Sequence, residues 1–328
     1  MPITSRSALA LTCITGLLFT APTSAQQWPQ NPIKIVVSAA AGGPIDVFAR
    51  VIAERLSPSL GQSVIVENVP GAGGAVGGQS VARATPDGYT ALLGTSATHT
   101  FSQLLYKKPL YDAQADFAAV GLMAEIPLVL ITRKDLPART MSEFVTYAKA
   151  NAAKMNYGSA GVGSSTHLGC ALLTSAMGVE INHVPYRGTG PAMQDLMAGR
   201  IDFLCEIVVT AAPQIEGNNV KAIATMAIER SPVLPKVPTT VESGFPTLKA
   251  ESFTALFMPR GTPQSTVEKM NAAMVAALEA PEVRNKLEQL GASIVKLERR
   301  TPAYLAKFVG EELTKWRAIV TASGIEPQ

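Results

Sequence analysis

Ile33-Lys34-Ile35-Val36-Val37-Ser38, followed by Ala41-Gly42-Gly43 and a helix-period stretch over residues 45–60, decides the fold of this chain. The first run is short, apolar and β-branched, and Pro32 sets its start, so it reads as a strand. Val47, Ala49, Val51, Ile52, Leu56 and Leu60 then recur near helical spacing. Strand, glycine turn and helix together make the opening unit of an α/β layer.

Working outward, the same alternation continues. Strands are expected over residues 64–66 and 89–94, the second introduced by the turn Pro86-Asp87-Gly88. An apolar strand over 127–132 precedes a helix over 141–151. Asn156-Tyr157-Gly158 begins a short strand that runs into a second Gly/Ser-rich loop, residues 159–166, and then a helix over 167–177. A strand over 180–186 and a helix over 190–199, ended by its glycine, come next. Strands over 201–207, 220–224 and 253–258 precede helices over 262–278, 281–290 and 301–323. Pro263, Pro281 and Pro302 stand where these helices begin. Strand, glycine loop and helix thus occur once in each half, which predicts two similar lobes facing each other.

Residues 1–25 carry one charged side chain, Arg6, then an apolar run of about a dozen residues and the small-residue end Thr23-Ser24-Ala25. That pattern predicts a secretory signal cleaved after Ala25. The run is short of the roughly 20 residues a membrane span needs. Removing 25 of 328 residues leaves 303, which suits two lobes better than one small core. Without Arg6, 27 basic residues face 25 acidic ones, and so balanced a surface argues against nucleic acid as a partner. Cys170 and Cys205 remain, and an even number in an exported chain points to a disulfide, against the alternative of two buried thiols. Both lie just beyond loops that the fold brings together, which favours the bond. Two Cys and three His without ligand spacing predict no metal site, and no cofactor is expected.

The chemistry lies at the two glycine loops. In open α/β sheets ligands bind outside the carboxyl ends of the strands. The first turn of a helix presents unpaired N–H groups and about half a positive charge. Ala41-Gly42-Gly43 and Gly161-Val162-Gly163-Ser164-Ser165-Thr166 are therefore suited to hold carboxylate oxygens without a lysine or arginine. Asp46, one turn into its helix, is either a ligand contact or a cap, with the cap favoured. The hydroxyls of Ser164, Ser165 and Thr166 serve as caps or as ligand donors.

The run from Ile33 to Arg50, followed by Gly61-Gln62-Ser63-Val64-Ile65-Val66-Glu67-Asn68-Val69-Pro70-Gly71-Ala72-Gly73-Gly74, resembles the Bug family, the solute-binding receptors of tripartite tricarboxylate transporters. Pro86-Asp87-Gly88-Tyr89-Thr90, Gly163-Ser164-Ser165-Thr166-His167-Leu168, Val184-Pro185-Tyr186-Arg187-Gly188 and Pro259-Arg260-Gly261-Thr262-Pro263 extend the likeness along the mature chain. The resemblance implies a two-lobed periplasmic-binding-protein fold of the type II kind, with an organic acid closed between the lobes. Lobe 1 would comprise residues 26–125 and 251–328, and lobe 2 residues 126–250. It implies a periplasmic, monomeric receptor that hands its acid to integral-membrane transporter subunits. The first grip would be Ala41, Gly42, Gly43 and Asp46, and the second Gly161, Val162, Gly163, Ser164, Ser165 and Thr166, with Ser96 on a third loop lining the cleft. Ile45 stands where the family usually has a hydroxyl, which leaves only backbone contacts there. Glu206 stands near a usual Asp-Asn pair and, at the end of its strand, would read the far end of the ligand. Tyr186 is expected as a cleft wall in preference to the neighbouring Arg187.

Two other functions are weighed. A receptor loaded with ligand could serve a membrane sensor, since sensing needs the same closure. A hydrolase would use Ser165 or Ser164 with His167, yet two residues apart at a helix start Ser165 and His167 point to different sides, and no G-x-S-x-G motif is present. The expectation is that the chain is not an enzyme.

Overall fold

The computed structural model describes residues 28–39, 41–162, 164–186, 188–322 and 327. The expected signal and its cleavage site, together with Gly163 and Arg187, lie outside the described residues. Among the described residues ten strands form: β1 (Ile33–Val37), β2 (Val64–Asn68), β3 (Thr90–Thr95), β4 (Phe117–Arg133), β5 (Asn156–Ser159), β6 (Asn182–Pro185), β7 (Phe203–Ile207), β8 (Val220–Thr225), β9 (Glu251–Pro259) and β10 (Ser293–Ile294). The helices are α1 (Pro44–Leu60), α2 (Ala75–Ala82), α3 (Ser102–Leu104), α4 (Met141–Asn151), α5 (Ser165–Met177), α6 (Thr189–Met197), α7 (Val208–Glu216), α8 (Gln264–Glu279), α9 (Pro281–Gln289) and α10 (Pro302–Ala322).

The strand order is β2-β1-β3-β9-β4-β7-β5-β6, with β8 and β10 also pairing β4. In lobe 1, β1 lies parallel between β2 and β3, and β9 closes antiparallel onto β3. In lobe 2, β5 is parallel to both β6 and β7. The long β4 joins them: residues 117–127 pair with β9 and residues 128–133 with β7 and β8. The apolar strand expected over 127–132 is therefore the second half of a 17-residue strand. Where β4 changes partners, Leu128 donates to the Ala250 carbonyl and accepts from the Met226 N–H.

Each sheet is covered on both faces, as buried parallel strands require. One face of the lobe 1 sheet packs Ile33, Ile35 and Val37 with Phe48, Ile52 and Leu56 of α1 and with Met270, Met274 and Leu278 of α8. Trp316 of α10 is buried on the opposite side, edge-on to Phe101. In lobe 2, Phe144 of α4 and Leu168 and Leu173 of α5 cover one face, while Leu196 of α6 and Val208 and Ala211 of α7 cover the other.

Helices α2 and α7 are among those that escape the periodicity of the sequence. In α7, Ile207-Val208-Val209-Thr210 favours a strand and Pro213 argues against a helix, yet burial of Val208, Ala211 and Ala212 overrides both. In α2, Gly77 and Gly78 are poor helix formers, but a side chain at Gly77 would stand 2.8 Å from the Val69 carbonyl oxygen and one at Gly78 would collide with the Tyr111 ring.

The expected disulfide is not formed. Cys170 and Cys205 are free, fully buried thiols, one on α5 and the other on β7. The fold does bring them together, as expected, but burial pushes the Cys170 thiol up and disfavours the reactive thiolate.

Candidate functional site

The first glycine loop is fastened by Asp46. Its Oδ2 accepts from the Gly42 N–H at 2.9 Å, and both its oxygens take the Arg50 guanidinium at 3.0 Å. Asn68, at the end of β2, donates to Asp46 Oδ1 at 2.9 Å and to the Ala39 carbonyl at 3.0 Å. The Arg50 hydrogen bond, with those from Gly42 and Asn68, holds the Asp46 carboxyl down to about 2 against its burial. Its acceptors face the loop, so Asp46 shapes the turn that carries Ala41 and Gly42. Gly42 has φ +81°, a backbone conformation that glycine takes without strain. Gly43 is then extended as the N-cap, and Pro44 opens α1, where its missing N–H costs nothing. The next N–H groups of the first turn have no helical acceptor.

The second loop is fastened by hydroxyls. Ser159 Oγ accepts from the Gly161 N–H at 3.1 Å, and Ser164 Oγ donates to the Gly161 carbonyl at 2.7 Å. Thr166 Oγ1 accepts from the Ala160 N–H at 2.9 Å and lies 3.0 Å from Ser164 Oγ, which also caps α5 by accepting from the His167 N–H. The cap moves the start of α5 to Ser165, two residues earlier than periodicity suggests. Ser164 and Thr166 thus spend their hydroxyls on the loop itself. Val162, at the tip, is 52% exposed.

The remaining expected positions divide by what they touch. Ser96 is fully buried, and its Oγ accepts from the Phe253 N–H at 3.0 Å, tying the end of β3 to β9. Tyr186 donates its hydroxyl to Asp195 at 2.7 Å, and burial with that carboxylate pushes the phenol up to about 12. Its ring packs beside Gly158. Glu206 is fully buried: Oε1 accepts from the Ile207 N–H and from Thr210 Oγ1, each at 2.8 Å, while Oε2 has no partner. Burial pushes the carboxyl up, and those two hydrogen bonds pull it back.

A third glycine segment went unassigned in the sequence reading. Gly71, Ala72, Gly73 and Gly74 all have positive φ, and a side chain at Gly74 would meet Ser38, at the end of β1, at 3.0 Å. The segment therefore lies against the base of the first loop; its run of glycines was the available signal. His167, weighed above as the base of a hydrolase, is stacked on a second imidazole. His167 stacks on His183 with centroids 3.9 Å apart, and burial, with His183 beside it, lowers its imidazole to about 4. No group of three or more His, Cys, Asp or Glu residues suited to a metal occurs among the described residues.

The family model for the tripartite tricarboxylate transporter family receptor matches residues 48–325. This chain belongs to that family. An Agrobacterium vitis protein, the UPF0065 protein in the TAR-I ttuE-ttuC' intergenic region, is 40% identical over 90% of this chain and 86% of its own. The solved periplasmic binding protein BugD is 37% identical, with a TM-score of 0.75 over 92% of this chain and all of its own. MatC from Rhodopseudomonas palustris, solved with bound malate, is 40% identical, with a TM-score of 0.75 over 89% of this chain and all of its own. The family and the two-lobed periplasmic-binding-protein fold expected from sequence are both present. No helix among the described residues is long and apolar enough to cross a membrane.

Proposed function

We propose that this family member is an extracytoplasmic receptor that closes its lobes on a small organic carboxylate and delivers it to the membrane subunits of a tripartite tricarboxylate-type transporter. The observation that carries the reading is the pair of strand–glycine loop–helix units, at β1–α1 and β5–α5, each braced by its own side chains. A loop held in shape before the ligand arrives loses little conformational freedom on binding. Each unit offers first-turn N–H groups at the positive end of a helix, the environment a carboxylate favours. Ala41, Gly42 and Gly43 form the first grip and Gly161, Val162, Gly163 and Ser165 the second, with Asp46, Ser164 and Thr166 as braces and Tyr186 as a wall.

Lobe 1 is assigned residues 26–125 and 251–328, and lobe 2 residues 126–250, joined where β4 changes partners and where β9 begins. The chain is assigned to the periplasm as a monomer, its leader removed after Ala25. Catalysis has no support from the Ser165–His167 region. MatC, solved with malate, lends support to the ligand class.

Thermal unfolding of the leader-free protein against a panel of mono-, di- and tricarboxylates tests the reading. Ligand at a hundred times its Kd adds about 2.7 kcal/mol to the native state. A rise in Tm with one acid class, matched by calorimetric titration, is the expected result. No rise with any acid, in protein shown to be ligand-free, overturns it.

A further inference from the structure

We propose that Glu206 is the specificity residue of the cleft, its Oε2 accepting a hydrogen bond from an ammonium or hydroxyl group carried by the bound carboxylate. The proposal rests on the carboxylate reading above and names the part of the ligand that reading leaves open.

Placement comes first. Tyr157 of β5 pairs with Phe203 of the parallel β7. Followed in the same direction, β5 ends at Ser159 and β7 runs on through Glu206 to Ile207, so Glu206 lies at the carboxyl end of its strand. Ala160 opens the second glycine loop, so Glu206 stands at the same carboxyl edge of the sheet, beside the N–H groups assigned to the ligand carboxylate. A substituent one or two bonds from that carboxylate falls within its reach.

The chemistry follows from the two oxygens. Oε1 is saturated by the Ile207 N–H and the Thr210 hydroxyl at the start of α7. Burial pushes the carboxyl up, while both bonds and the positive end of the helix oppose that shift. Oε2 is left with open acceptor sites and no donor among the described residues. A buried acceptor without a donor is costly, and the group that supplies the donor recovers that cost. A plain second carboxylate at this position would instead meet like charge. Sites built to bond a ligand O–H or N–H reject analogues that lack it.

Access is consistent with lobe motion. The lobe 1 turn at Gly291 lies within 3.5 Å of Val209, measured from where its side chain would begin, and beside Val208. These residues open α7 just after Glu206, so lobe parting at this contact frees the start of the helix whose first turn holds the carboxyl. The ligand enters before closure buries it.

The test uses three acids of one skeleton, aspartate, malate and succinate, which differ only by ammonium, hydroxyl or hydrogen at C2. If another chain length binds in the carboxylate panel, the matching amino, hydroxy and unsubstituted acids of that length replace them. Calorimetric titration of the leader-free wild type is expected to show aspartate or malate at least about tenfold tighter than succinate. The stronger of the two identifies the donor. Glu206→Gln keeps the Oε1 acceptor and replaces Oε2 with a donor, and is expected to erase or invert that preference. Succinate binding as tightly as both other acids in the wild type overturns the proposal without any variant, as does a Glu206→Gln protein with an unchanged ratio. Absence of binding by every carboxylate overturns the underlying reading as well, which separates the two failures.

Discussion

Glu251 opens β9 beside the point where β4 changes partners, and its surroundings make stability depend on pH. In the antiparallel ladder Glu251 pairs with Pro127 and Glu125 with Phe253, so the two carboxyls stand diagonally on one face. Arg299 gives two hydrogen bonds to Glu125, at 2.8 and 2.6 Å, and a third to the Tyr304 hydroxyl at 2.7 Å. Burial first, and the Glu125 charge second, push the Glu251 carboxyl up to about 8; Lys315 and Arg299 oppose this, and Glu312 adds to it. The folded chain therefore keeps a proton that the unfolded chain, with its ordinary value of 4.5, gives up. Stability from this group is complete below pH 4.5 and is lost as pH rises through 8. At about 1.36 kcal/mol per pH unit the gap bounds the loss near 5 kcal/mol. Partial contact of Glu251 with solvent and its coupling to Glu125 trim this to roughly 2–4 kcal/mol. Urea unfolding of wild type and Glu251→Gln at pH 5, 6.5, 8 and 9 reads the effect. The variant is expected to match the wild type at pH 5 and to exceed it by about 2–4 kcal/mol at pH 9. Parallel stability curves for the two proteins would refute the reasoning.

Two further expectations concern the loops and the thiols. Asp46→Asn removes a carboxyl held down to about 2, and with Arg50 half-exposed the loss is about 1–2 kcal/mol at pH 7. Because the folded value lies below the ordinary 3.8, that difference should vanish as pH falls toward 2, which acid-titrated unfolding would show, and carboxylate affinity should drop with it. Cys170 and Cys205 should resist a thiol reagent in the native leader-free protein and both react after denaturation without reductant; no released thiol would mean a disulfide.

How far the sequence carried the fold depended on whether local and tertiary signals agreed. The helix over Met141–Asn151 matches its expected span because Thr140 and Glu143 form a capping box, which fixes its start locally. The β1–α1 unit was legible for the same reason, with Pro32, Gly42-Gly43 and Pro44 marking its boundaries. Helix α7 was not, since its β-branched start and Pro213 vote against the packing that forms it. At the site, glycine and helix starts could be seen, but not the direction of the hydroxyls. Ser164 and Thr166 turn inward because Gly161 and Ala160 need partners there. Asp46 binds Asn68, 22 residues away, a contact that helical spacing does not reveal. The unpartnered oxygen of Glu206 is likewise a product of tertiary placement, for its sequence neighbours satisfy only Oε1.

The most direct test of the carboxylate clamp places charge at its tip without disturbing its braces. Val162 is exposed and its side chain supports no hydrogen bond, so Val162→Asp and the uncharged Val162→Asn should both fold as the wild type does, within about 0.5 kcal/mol. Calorimetric titration with the acid that stabilises the wild type is the measurement. Binding retained by Val162→Asn and weakened about tenfold or more by Val162→Asp, with the loss shrinking as salt is raised, is the predicted result. Equal affinity in the two variants would contradict an anion clamp at this loop.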